Sequence, residues 1–343
     1  MGFFAYHSYM DEAKRILITR ILPEAAGALL KSAGHRVTQW DHGRDMTKDE
    51  LRSWAKGHDA ILTVGGNVID EDFMDACPSI RMISLFAVGY DNIDISAATK
   101  RGIPVGFTPD SVTHATADVA FLLMQAVSRK MIFQYRRILN GEWRQFEPTG
   151  HLGTELRGKT LGVYGLGRIG MEMARRCTGA FGMTVIYHNR NRNAKAEAAL
   201  PARWVTMDEL LSQSDVLSVH CPLNTETRLR FAREEFRRMK RSAIFINTSR
   251  GGVHDEPALL EALQNGWIWG AGLDVTNPEP MAADNPLLFM ENVVILPHIG
   301  SGTSETRDHM ANTAAQNIIR FFQSGEVPAC VNPQVLKNPS IHG

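Results

Sequence analysis

The feature that most constrains this chain is a glycine turn set between a strand and a helix, in Lys159–Arg176, KTLGVYGLGRIGMEMARR. Thr160–Tyr164 is a short apolar run suited to a buried strand. Gly165-Leu166-Gly167-Arg168-Ile169-Gly170 follows at once, and MEMARRCTGAF continues with helical character. Strand, turn and helix in that order are the context a dinucleotide fingerprint requires. Gly165 permits the tight turn, Gly167 lets the backbone approach a pyrophosphate, and Gly170 lets helix and strand pack closely. The helix N-terminus then offers N–H groups and a dipole to the anion. A further strand, MTVIY at 183–187, follows the helix.

The rest of the chain repeats this alternation. Before the fingerprint, strands are expected at Arg15–Thr19, His35–Trp40, Ala60–Val64 and Arg81–Phe86, with helices over Pro23–Ser32, Lys48–Lys56 and DEDFMDACP between them. After it, strands are expected at Val216–His220, Ala243–Asn247, Trp269–Leu273 and Val293–Leu296, with a helix at Glu256–Asn265. Alternation at this spacing implies parallel sheets with helices on both faces. A length of 343 residues suits two domains, at ~100–200 residues each. The fold class is therefore α/β, with two doubly wound parallel-sheet domains, the second of Rossmann type. Two long helices, THATADVAFLLMQAVSRK from Thr113 and SGTSETRDHMANTAAQNIIRFFQSG after His298, read as crossings between the domains. The expected division is 1–112 for the first part of a substrate domain, 113–300 for the cofactor domain, and 301–343 for the return. Two such crossings predict hinge closure over a ligand.

Composition excludes some functions. Lys plus Arg equals Asp plus Glu, 37 against 37, which gives no support to a nucleic-acid or membrane-surface partner. REEFRRMKR at 233–241 is read as a solvated helix face. Cys77, Cys177, Cys221 and Cys330 show no regular spacing, as in a reduced cytoplasmic chain. No apolar run has the length of a membrane span. MGFFAYHSYMDEAKR lacks the pattern of a signal peptide and is expected to be a loose extension. Neither HExxH nor a zinc-type Cys/His spacing is present, so no metal is expected. A GxSxG elbow is absent too.

Chemistry is expected in the loops beyond strand ends, where open α/β sheets bind ligands. Ala87–Asp94, AVGYDNID, either holds a carboxylate on backbone N–H groups or is only a strand-to-helix turn. Arg250, in NTSRGG, either binds a carboxylate through a planar fork or makes a surface ion pair. Glu279, in DVTNPEP, is either part of a site or solvated. His298, in LPHIG, ends an apolar strand and should face the cleft between the domains. A carboxylate such as Glu279 beside it would raise its pKa and keep a proton for donation.

AVGYDNID, GKTLGVYGLGRIG, NTSRGGV, GLDVTNPEP and LPHIGSGTSET occur in that order. With these motifs, residues 15–335 resemble the D-isomer-specific 2-hydroxyacid dehydrogenase family, most similarly its glyoxylate/hydroxypyruvate reductase and 2-ketogluconate reductase branch. The resemblance implies a Rossmann domain inserted into a smaller flavodoxin-like one, and a homodimer through the cofactor domain. It implies His298 as general acid, Glu279 as its charge partner and Arg250 as the substrate anchor, with Val88 and Gly89 on the substrate carboxylate. On the cofactor it implies Gly165, Gly167, Arg168, Ile169 and Gly170 at the pyrophosphate. Thr116, Cys221, Pro222, Thr227, Thr248, Ser249, Asp274 and Gly300 complete that surface. Val88 stands where phosphite-oxidising relatives carry lysine, which argues against phosphite. His114 stands where relatives often carry an acid. The long C-terminal regulatory domain of some phosphoglycerate dehydrogenases is not expected.

Cofactor choice follows from what succeeds the second strand. An NAD enzyme places an acid ~20 residues beyond the glycines. Tyr187-His188-Asn189-Arg190-Asn191-Arg192 contains none, and Glu197 is the next. Arg190, with Arg192 and Asn189, is therefore expected to accept a 2′-phosphate, or else the arginines are simply solvated; His188 is expected on the same cofactor surface. NADP is favoured over NAD, and reduction of a small 2-keto acid is the expected direction. The rival readings are D-3-phosphoglycerate dehydrogenase and a nucleotide-sensing, corepressor-like binding protein.

Overall fold

The computed structural model describes residues 13–337, so most of the expected N-terminal extension lies outside the described residues. The chain divides into one unit running to Ser111 and resuming at Thr303, and a second of Val112–Gly302.

The first unit opens with β1 (Arg15–Ile18), α1 (Glu24–Ser32), β2 (Arg36–Gln39), α2 (Lys48–Ala55), β3 (Ala60–Thr63) and α3 (Glu71–Ala76). It continues with β4 (Met82–Leu85), α4 (Ile95–Lys100) and β5 (Val105–Gly106). The five strands are parallel in the order β2-β1-β3-β4-β5. AILT and MISL are buried at every position, as strands covered on both faces must be. Thr47 and Glu50 start α2 with a reciprocal capping box, closed by bonds of 3.2 and 2.9 Å.

The second unit contains α5 (Thr113–Ser128), α6 (Met131–Leu139), β6 (Thr160–Tyr164), α7 (Arg168–Phe181), β7 (Thr184–His188), α8 (Ala194–Ala199) and β8 (Ala202–Trp204). It goes on with α9 (Met207–Gln213), β9 (Val216–Val219), α10 (Arg233–Arg238), β10 (Ile244–Asn247), α11 (Glu256–Gln264), β11 (Gly270–Leu273) and β12 (Val293–Ile295). Seven parallel strands take the order β12-β11-β10-β9-β6-β7-β8, which reverses between β6 and β9. One apolar core lies on each face of this sheet. On one of them α5 packs across β10, β11 and β12.

The chain returns to the first unit as α12 (Ser304–Ser324), which packs on α1, β3, β4 and β5. Asn317, fully buried on α12, donates to the Phe107 carbonyl at 3.0 Å and accepts from Ala329 N at 3.1 Å. Both units are thus doubly wound α/β sheets. Elements beyond the expected ones are α4, β5, α6, α8, β8 and α9. REEFRRMKR forms α10, buries Phe236, and lays Arg233 and Arg237 over the Trp267 ring.

Candidate active site

The glycine turn carries the geometry its sequence demands. Gly165 sits at φ +98°, and a Cβ there would stand 2.8 Å from the His220 backbone. A Cβ on Gly170 would stand 2.6 Å from the Gly165 carbonyl oxygen, so the third glycine serves helix–strand packing. Gly167 differs, because a Cβ there meets nothing within 4 Å. It is also the N-cap of α7 and has no side chain to satisfy the first N–H groups of that helix. Open space above unsatisfied helix N–H groups suits a pyrophosphate. Thr248 adds a buried hydroxyl with no partner. Burial pushes the nearby Cys221 thiol up to about 12, so it is a neutral surface. The residues present therefore fit a dinucleotide.

At the end of β7 the expected residues separate. Asn189 accepts from Leu166 N through Oδ1 at 2.7 Å and so ties β7 to the glycine turn. His188 contacts the Val205 carbonyl through Nδ1 at 2.9 Å and stacks on Tyr164 and Trp204. Arg192 is turned back on Glu197, whose carboxylate takes Arg192 Nε at 2.8 and 2.9 Å and the Tyr187 hydroxyl at 2.8 Å. Arg192 is thus paired at the surface, as Arg190 is, and an exposed pair leaves its guanidinium open to exchange partners. Arg190 stays exposed, with Glu226 at 3.6 Å.

The candidate reacting groups gather beyond the ends of β10, β11 and β12. His298 lies at φ +53°, a conformation few non-glycine residues adopt. Its backbone is held there: His298 N donates to the Asp274 carbonyl at 2.9 Å, and the Asp274 carboxylate takes Ile299 N at 2.8 Å and Gly300 N at 2.7 Å. Thr116, on α5, fixes the same loop through the Gly300 carbonyl at 3.1 Å. Asp274 is buried, which pushes its carboxyl up against the opposing pull of those N–H groups and of His298. The aspartate therefore anchors the histidine loop.

Glu279 meets His298 as the sequence suggests, with Oε1 2.5 Å from Nδ1. Burial raises the Glu279 carboxyl, but the bond to His298 and the charges of His298 and Arg250 outweigh it, and the net shift is downward. Glu279 is therefore a carboxylate, and a carboxylate at Nδ1 turns Nε2 outward for chemistry. Arg250 is near enough for its charge to help lower the Glu279 carboxyl, and its Nη1 donates to the Ser249 carbonyl at 2.9 Å. Thr227 caps a turn, with its hydroxyl 2.7 Å from the Pro222 carbonyl. Val88 and Gly89 follow β4 in the first unit. His114 approaches Glu172 at 3.3 Å. Among the described residues no cluster of three or more His, Cys, Asp or Glu could hold a metal, and no helix is long and apolar enough to cross a membrane.

Support residues went unread in the sequence. Glu256, at the start of α11, accepts from Asn277 N at 3.1 Å and from Asn285 Nδ2 at 2.9 Å, and so holds the loop that carries Glu279. Asn247 and His254 brace the Arg250 turn. Their only local signal was a polar residue within an otherwise apolar strand, and a histidine beside a helix cap.

Residues 121–300 match the family model described as D-isomer specific 2-hydroxyacid dehydrogenase, NAD binding domain. A glyoxylate reductase of Korarchaeum cryptofilum is 42% identical over 325 residues, covering 94% of this chain and 97% of that protein. Among solved structures, a glyoxylate reductase from Paecilomyes thermophila is 34% identical with a TM-score of 0.84, over 94% of this chain and 99% of that one. An NADPH-dependent glyoxylate/hydroxypyruvate reductase from Sinorhizobium meliloti, in complex with NADP and malonate, is 31% identical with a TM-score of 0.81, over 93% and 97%.

Proposed function

The chain belongs to the D-isomer-specific 2-hydroxyacid dehydrogenase family, and from that premise we propose that it reduces a small 2-keto acid of the glyoxylate or hydroxypyruvate type to the D-2-hydroxy acid, with NADPH preferred. The observation that carries the reading is the Glu279–His298 contact, which leaves Nε2 as the nitrogen available to a substrate.

A nicotinamide cofactor, when bound, would supply the hydride that the carbonyl carbon takes. Gly165, Gly167, Arg168 and Ile169 would hold its pyrophosphate, with Cys221, Pro222, Thr248 and Asp274 beside the nicotinamide. Arg250 grips the carboxylate and carbonyl oxygen through its planar fork. His298 passes its Nε2 proton to the carbonyl oxygen as the carbon becomes tetrahedral, and Glu279 stabilises the imidazolium before transfer. Hydride on carbon and proton on oxygen give the hydroxy acid.

NADPH preference rests on Arg190. Its pairing with Glu226 is between exposed groups, worth ~0–1 kcal/mol, whereas a charge-assisted bond to a 2′-phosphate is worth ~1.5–3 kcal/mol. The phosphate wins that competition. The relative from Sinorhizobium meliloti is itself NADPH-dependent. Arg190→Ala is expected to weaken NADPH by roughly ten- to hundredfold and leave NADH nearly unchanged. The test is a panel of glyoxylate, hydroxypyruvate, 2-ketogluconate, pyruvate and phenylpyruvate with each cofactor, followed by absorbance. No keto-acid-dependent oxidation would overturn the function, and a higher kcat/KM with NADH would overturn the cofactor choice.

A homodimer through the second unit belongs to the same reading. α6 buries none of its residues, and Met131, Tyr135, Ile138 and Leu139 are exposed, as are Trp143 and Phe146 just beyond. A second copy is the proposed cover for this surface. Sedimentation should give twice the chain mass, and a monomer at micromolar concentration would contradict it.

A further inference from the structure

A buried histidine outside the reacting set completes the turn that presents Arg250. Asn247 closes β10 with its side chain fully buried. Its Oδ1 accepts from Ser249 N and Ser249 Oγ, both at 2.9 Å. Its Nδ2 donates to the Arg250 carbonyl at 3.0 Å and stands 3.0 Å from His254 Nδ1. The opposite amide orientation would set NH₂ against the Ser249 N–H and oxygen against the Arg250 carbonyl, so Nδ2 is the donor on both sides. His254 Nδ1 must then accept. A neutral imidazole that accepts at Nδ1 carries its proton on Nε2.

The rest of the ring's surroundings make this costly. His254 has no exposed surface, and its Nε2 is buried without a partner. The Phe245 ring stands edge-on to it, 5.8 Å away. An apolar residue would fill the same volume with no orphaned N–H, so filling space does not account for a histidine here. The acceptor at Nδ1 does. Burial drives the ring pKa down to about 4 against the opposing charge of Asp255, which keeps Nδ1 unprotonated.

We infer that His254 is a positioning residue for Arg250: by accepting from Asn247 it saturates the amide that clamps the Ser249–Arg250 backbone, and thereby sets where the guanidinium stands. The inference rests on Arg250 as the keto-acid anchor proposed above.

Two variants separate acceptor from shape. His254→Phe keeps a ring of similar size and removes the acceptor. His254→Asn loses the ring and places a carbonyl oxygen at the same branch position as Nδ1. With the NADPH-loaded wild type and both variants, steady-state kinetics on glyoxylate and hydroxypyruvate give the KM and kcat split, and calorimetry gives NADPH affinity. His254→Phe is expected to raise KM about five- to a hundredfold, the consequence of a buried donor left unmade, with NADPH Kd changed less than KM. His254→Asn should recover most of that loss. Equal impairment of both variants, or a wild-type KM in His254→Phe, would overturn the inference. A wild type that reduces no keto acid would overturn the proposed function, and this inference with it. Nitrogen-15 spectra of the wild type without ligands supply a check independent of variant folding: a proton on Nε2 with Nδ1 bare is expected, and a proton on Nδ1 overturns it.

Discussion

The two units are built alike and equipped differently. Each is a parallel sheet wound on both faces, yet the second gathers a carboxylate, an imidazole and a guanidinium in the loops beyond its strand ends. Surface ion pairs occur on both, such as Arg44–Glu50 and Lys48–Asp70 in the first and Arg237–Glu234 in the second. Pairs of that kind add little stability, a median near ~0–1 kcal/mol. In the second unit the polar groups gather beyond the strand ends: Asp274 on two backbone N–H groups, Asn247 on four partners, and Glu279 on His298. The lesson is that the winding supplies a platform, and the loops beyond its strand ends carry the groups that the proposed reaction needs.

The largest effect expected from that contrast concerns Arg250. Two charge-assisted bonds at ~1.5–3 kcal/mol each correspond to roughly 10²–10⁴ in kcat/KM. Arg250→Ala should lose about that much, with KM rising and kcat falling. Arg250→Lys should recover only part, because it keeps the charge without the fork. Full activity in Arg250→Ala would remove Arg250 from the proposed site and weaken the comparison.

Acid should distinguish the units next. His254 titrates near 6.5 when exposed and at about 4 in the fold, where burial disfavours its charged form. Its contribution is fully present above pH 6.5 and is lost as pH falls from there to about 4. A shift of that size is on the order of 3 kcal/mol. Burial pushes His220, at the end of β9, down to about 4 as well. Hydrogen exchange between pH 7 and 4.5 should therefore show β9, β10 and α11 losing protection before β4. The reverse order would contradict the account.

Glycines give the smallest and cleanest test. Gly170→Ala puts a methyl 2.6 Å from the Gly165 carbonyl oxygen, an overpacking that costs ~1–3 kcal/mol. Gly179→Ala in the same helix, and Gly27→Ala in α1, meet nothing within 4 Å. Each should stabilise by ~0.4–1 kcal/mol through a less flexible unfolded chain. Thermal melts of the three variants check this, and a neutral Gly170→Ala would mean that the turn is not fixed by close packing.

Much of this was legible because buried parallel strands are continuous apolar runs. AILT, MISL and IFIN stand out in the sequence, and the reacting loops follow directly after such strands. The glycine turn was legible because only its spacing allows the bend. The edge strands β5, with two residues, and β8, with three, carry no periodicity to read. Nor does sequence reveal which polar neighbours meet. Arg190 and Arg192 look equivalent until Glu197, five residues on, takes Arg192. The positive φ of His298 depends on Asp274, 24 residues away, and nothing within LPHIG announces it.

The central claim is that His298, set by Glu279, protonates the keto oxygen. Its most direct test is the turnover of His298→Ala with glyoxylate and NADPH, with cofactor affinity measured on the same preparation. Positioned acid catalysis contributes ~10²–10⁴-fold. The account predicts a loss of kcat in that range with unchanged NADPH affinity; turnover within a few fold of wild type would contradict it.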